Sequence, residues 1–73
     1  MNDWIAQRTA GNLKIGDKVL ATVLDPARDR DENEVFQIRA IYRHRETKAV
    51  KLRVSDDDDV VRSITPEQVV RKA

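Results

Sequence analysis

Residues 34–54 read EVFQIRAIYRHRETKAVKLRV, two runs of alternating apolar and polar side chains around a polar turn. In the first run, 34–44, Phe36, Ile38, Ala40 and Tyr42 alternate with Gln37, Arg39 and Arg43, and Ile41 is the one apolar residue on the polar side. In the second, 48–54, Val50, Leu52 and Val54 alternate with Ala49, Lys51 and Arg53. A two-residue period means one buried and one wet face, the signature of half-buried strands. Arg45, Glu46 and Thr47 form the turn between them. A three-residue turn sets Tyr42 opposite Val50, Ile41 opposite Lys51 and Arg39 opposite Arg53.

Working outward, residues 18–24 form another strand, with Val19, Ala21 and Val23 on one face. Gly16-Asp17 turns the chain into it, since Gly accepts positive φ and Asp bonds nearby backbone. Residues 25–33 hold nothing apolar larger than Ala27, apart from the proline at 26, and read as a long exposed loop. Beyond the hairpin, Ser55 and the four Asp at 56–59 make a loop, and residues 60–64 a further strand. Thr65-Pro66-Glu67-Gln68 has the cap, the proline and the Gln spacing of a helix start, and a single turn is expected. Residues 1–12 have no clear period and read as a flexible arm; 13–70 form one β domain, and 71–73 a basic tail. Four to five antiparallel strands with one short helical turn suit a small closed barrel, because closure removes exposed edges.

The chain has 73 residues, 37% of them charged and 4% aromatic, with no Cys and one His. A domain of this size hides only about 60% of its unfolded surface, so its stability is modest. Without Cys, and with His44 alone, neither a disulfide nor a metal site is expected, and no cofactor. The net charge of +1 conceals segregation. Residues 1–34 carry five basic and seven acidic side chains, 35–54 six and one, 55–59 none and four, and 60–73 three and one. Local fields of this kind steer partners more than the total does. No run is apolar enough to span a bilayer and no signal peptide is recognisable, so a cytoplasmic protein without membrane contact is expected.

The outward hairpin face is the main functional clue. Like charges directly opposite on a sheet destabilise it, so Arg39 facing Arg53 implies an acidic partner, against the alternative of a solvated face balanced by acidic loops. Candidate partner-binding residues are Arg39, Ile41, Arg43, Arg45, Lys51 and Arg53 on the hairpin, with Trp4 and Ile5 on the arm. Trp4 has two fates, packing over one end of the domain or serving as a binding hot spot. His44 reads as a solvated tip residue. The Asp run lacks the alternating ligands, Gly and distal Glu of a calcium loop and reads as a solvated turn. Tyr42, read as inward, leaves a nucleic-acid interface short of exposed aromatics, and three aromatics in all make a methyl-ligand cage poor. No phosphate loop or nucleophile motif is present, so no enzymatic activity is expected.

The Gly16-Asp17-Lys18-Val19 entry, the long first loop, the tight hairpin and Thr65-Pro66 before a final turn resemble SH3-like barrels of the Tudor and KOW type over residues 13–70. Two enzyme families of related pattern do not fit. Type II dihydrofolate reductases have a Val-Gln-Ile-Tyr segment with no match around Ser63-Ile64-Thr65. Hint domains share the Leu13-to-Val19 opening but need an N-terminal nucleophile. With the arm, Gly16 to Ala21, Tyr42-Arg43-His44-Arg45 and the four-Asp loop, the chain resembles the small RNA-polymerase-binding transcription regulators of lytic Xanthomonas phages. That resemblance implies a protein contacting the N-terminal region of β′ and the β flap of bacterial RNA polymerase, displacing σ and promoting antitermination. A monomer is expected, with nucleic acid near the polymerase. It assigns no residue role. A small nucleic-acid-binding barrel is the alternative.

Overall fold

The computed structural model describes residues 3–25 and 30–73, with the side chains of 3–23 and 32–73. It is mainly β. The strands are β1 (Trp4–Gln7), β2 (Thr9–Ala10), β3 (Leu13–Lys14), β4 (Lys18–Asp25), β5 (Arg30–His44), β6 (Val50–Ser55), β7 (Val61–Ile64) and β8 (Val69–Lys72). A 3-10 turn, Pro66–Gln68, precedes β8. The large sheet is antiparallel with the order β7-β6-β5-β4-β8, and β1 adds to β5; β2 and β3 make a separate small hairpin.

The alternation places Val19, Ala21, Val23, Phe36, Ile38, Leu52, Val54 and Ile64 in one core, which Leu13 joins and against which Val69 packs. A single sheet can enclose a core only by curling on itself. The 3-10 turn touches both β4 and β6, which are not neighbours, and Gln68 Nε2 donates to the Thr22 carbonyl at 3.0 Å. The expected antiparallel β domain is therefore present, but ring closure is not found among the described residues. Among the described residues β7 and β8 do not pair.

The 65–68 start behaves as its residues dictate. Gln68 Oε1 accepts the Thr65 backbone N–H at 3.0 Å, and the Gln68 N–H reaches the Thr65 carbonyl at 3.0 Å. Arg71 and Lys72, expected in a tail, lie in β8 opposite Leu20 and Val19.

The expected long loop at 25–33 is mostly strand. Pairing of β4 with β5 runs out to Asp25 and Arg30, because a ladder needs backbone groups rather than apolar side chains. Thr22 Oγ1 donates to Asn33 Oδ1 across it at 2.6 Å. Residues 26–29 lie outside the described part.

The flexible arm expected at 1–12 is, from Trp4 to Gln7, a paired strand. β4 ends its pairing at Gln37, so the later half of β5 would face solvent with unpaired backbone. Gly16 N–H to the Ile38 carbonyl (2.8 Å) and Ile38 N–H to the Asp17 carbonyl (2.9 Å) carry the ladder one step further. Trp4, Ile5, Ala6 and Gln7 then pair with His44, Arg43, Tyr42 and Ile41. Trp4 and Ile5, residues of good β propensity, meet an edge that needs a strand.

Gly16 holds φ at +97° in this junction, while Asp17 Oδ2 accepts the Lys14 N–H at 3.1 Å. A Cβ at Gly16 meets no neighbouring atom, so its cost is conformational alone. We expect Gly16→Ala to lower stability by about 1 kcal/mol, read as a fall in the urea midpoint at constant slope.

Candidate functional site

The hairpin holds its site through one irregularity. Near the sheet centre Gln37 faces Ser55 and Ile38 faces Val54, the register expected from the turn. The register then shifts, and Ala40 faces Arg53, Ile41 faces Leu52, Tyr42 faces Lys51 and Arg43 faces Val50. Arg39 is the extra residue, a β-bulge. One inserted residue reverses the parity of everything after it. Ile41 turns into the core, where it is 1% exposed, and Tyr42 turns out. The connection is longer than expected: β6 begins at Val50 rather than at 48, because Lys48 takes φ +63° and breaks the extended run.

Arg39 is thus not opposite Arg53, and the like-charge clash expected from strict alternation does not occur. Its Nε donates to Ser55 Oγ at 2.7 Å, satisfying a hydroxyl on a residue only 3% exposed, and its guanidinium lies 3.5 Å from Asp59. That ion pair is exposed on both sides and contributes little. Arg39 belongs to the acidic end of the molecule. There Asp56 Oδ1 accepts the N–H groups of Asp58 and Val60 at 2.9 and 3.0 Å, and Asp59 adopts φ +60°. The Asp run is a self-bonded turn. No cluster of metal-holding residues occurs among those described.

The remaining candidates divide between two faces of the ribbon formed by β1, β5 and β6. Register partners in a sheet share a face, and successive residues alternate. Trp4, Tyr42, His44, Lys51 and Arg53 fall on the outer one. The Lys51 ammonium sits 4.3 Å from the Trp4 ring centre and 5.7 Å from that of Tyr42. His44 meets Trp4 edge to face at 5.1 Å. Its Nδ1 accepts the N–H groups of Glu46 and Thr47, both at 3.2 Å, so the ring is fixed by the turn rather than solvated freely. An exposed cation–π contact is worth about 0.5–1 kcal/mol, enough to order Lys51 but not to lock it. Trp4, Tyr42, Lys51 and Arg53 line an open cleft of about 150 Å³. Among the described residues no carboxylate pairs with Lys51 or Arg53.

Ile5 and Arg43 fall on the opposite face, as register partners beyond the end of the core. Ile5 is 50% exposed and Arg43 is exposed without a carboxylate partner among the described residues. Both stand at β1, which pairs only with β5, so its outer edge carries no further strand among the described residues. Arg45 is next in line, its N–H bonded to the Asp3 carbonyl at 2.9 Å.

Of the eight residues picked from the sequence, Ile41 is core, Arg39 serves the acidic end, Trp4, Lys51 and Arg53 form a platform, and Ile5, Arg43 and Arg45 form a rim. Strict alternation missed Tyr42 and His44. The signal was present in Ile41, an apolar residue on the polar side that marks where the period slips. No helix among the described residues is long and apolar enough to cross a membrane. No family model, no characterised protein and no solved structure matches the chain.

Proposed function

We propose that this chain is a phage-encoded regulator that binds bacterial RNA polymerase in the host cytoplasm, as a monomer and without a catalytic step of its own. It holds back initiation by displacing σ and promotes antitermination. The contacts fall on the N-terminal region of β′ and the β flap, as the sequence resemblance implies. The observation that supports a protein-docking role is the rim. An exposed Ile5 stands beside Arg43, which has no carboxylate partner among the described residues, at a strand whose outer edge carries no further strand among them; together they combine an apolar anchor, a cation and an unladdered sheet edge. Such a combination suits strand addition by a partner segment, where backbone bonds supply affinity and side chains supply choice.

The mechanism is competitive. A regulator and σ that each bind core polymerase, but not together, each weaken the other's apparent affinity, by a factor set by the competitor's own concentration and affinity. Tagged protein passed through a bacterial lysate at low salt should retain core polymerase subunits, and adding it to holoenzyme should release σ in proportion. Failure to retain polymerase removes this reading.

A further inference from the structure

We propose that the outer platform of Trp4, Tyr42, Lys51 and Arg53 is a binding site for single-stranded RNA, separate from the protein-docking rim. The site stands on geometry; naming RNA rather than DNA rests on the polymerase reading, in which the single strand leaving the enzyme is a transcript.

Three observations point to this ligand. Two aromatic rings from different strands lie around one ammonium at 4.3 and 5.7 Å. A second cation, Arg53, lines the same open cleft. No carboxylate neutralises either cation among the described residues. Cations alone would suit an acidic peptide. Rings beside them favour a ligand with flat π faces on an anionic backbone, and every base offers such a face. A base takes the place of the Lys51 ammonium over Trp4, and Lys51 moves onto the adjoining phosphate. Tyr42 takes a neighbouring base and Arg53 a second phosphate. A duplex, whose bases are already stacked, gains only the phosphate contacts.

Trp4 is the one Trp in the chain, so its fluorescence reports the site directly in the free protein. Titration with oligouridylate at low salt should quench it saturably. With two phosphates neutralised, log affinity should fall against log salt with a slope of roughly −1.4. Tyr42→Ala should weaken binding roughly tenfold, the loss of one stacked base. Oligothymidylate should bind no more tightly than oligouridylate, and annealed adenylate–uridylate duplex more weakly.

Absence of quenching overturns the proposal. So does equal quenching by polyglutamate, which would make the platform a site for acidic protein, or by the duplex, which would leave charge alone. Tighter binding of oligothymidylate overturns the assignment to RNA. Because these titrations contain no polymerase, a protein that retains polymerase yet ignores RNA sinks this inference and leaves the proposed function standing. Binding of RNA without retention of polymerase does the reverse.

Discussion

Ile41→Asp is expected to leave the chain unfolded in water, and Ile41→Ala to remove about 2–5 kcal/mol of stability. A 73-residue domain has roughly 4–11 kcal/mol in total. The alanine variant therefore loses a large fraction of it and the aspartate variant, burying an unpaired charge at a site 1% exposed, loses the rest. Tyr42→Ala should cost far less, about 1 kcal/mol, since the half-buried ring gives up one weak contact with Lys51. The order matters more than either value. Without the bulge at Arg39, Tyr42 would be the core residue and Ile41 the exposed one, and the two costs would exchange. Urea midpoints at constant slope decide it; a Tyr42→Ala variant less stable than Ile41→Ala would refute the bulged register.

Ile5→Asp with Arg43→Glu is expected to weaken polymerase binding by roughly thirtyfold or more, the loss of one hot-spot contact. Aspartate removes the apolar anchor and adds charge beside the open edge of β1; glutamate reverses the cation next to it. Neither side chain belongs to the core, so the urea midpoint should move by less than about 1 kcal/mol in equivalent stability. Unchanged retention of polymerase with this pair would clear the rim of any docking role. The same pair should still bind oligouridylate, because its side chains and the platform lie on opposite faces.

Strands β4 to β7, the 3-10 turn and most of the core were legible in the sequence because alternation reports directly on which side chains meet. Val19, Ala21, Phe36, Ile38, Leu52 and Val54 pack as their spacing requires. What was illegible depended on partners distant in sequence. Trp4 to Gln7 have no pattern of their own and become a strand because β5 has an edge left over. The acidic stretch before Glu34 looked like a loop because its ladder is held by backbone groups that composition does not record. Arg39 was misread for a related reason. Whether an Arg faces solvent or fills a bulge depends on Ser55 and Asp59, sixteen and twenty positions away. The candidate residues lie mostly on one ribbon but were assigned to one surface where there are two.

The bulge leaves this ribbon one residue longer than its ladder needs. Remove Arg39 as a single codon and the ladder closes up as a regular one. Ala40 still meets Arg53 and Ile41 still meets Leu52, so the isoleucine stays inside, the phenol outside, and only the contacts of Arg39 with Ser55 and Asp59 are lost. A one-residue deletion elsewhere in a strand turns the following side chains to the wrong face. At this one position deletion and substitution should do comparable damage, and a mutational scan that changes identities alone would leave this tolerance invisible.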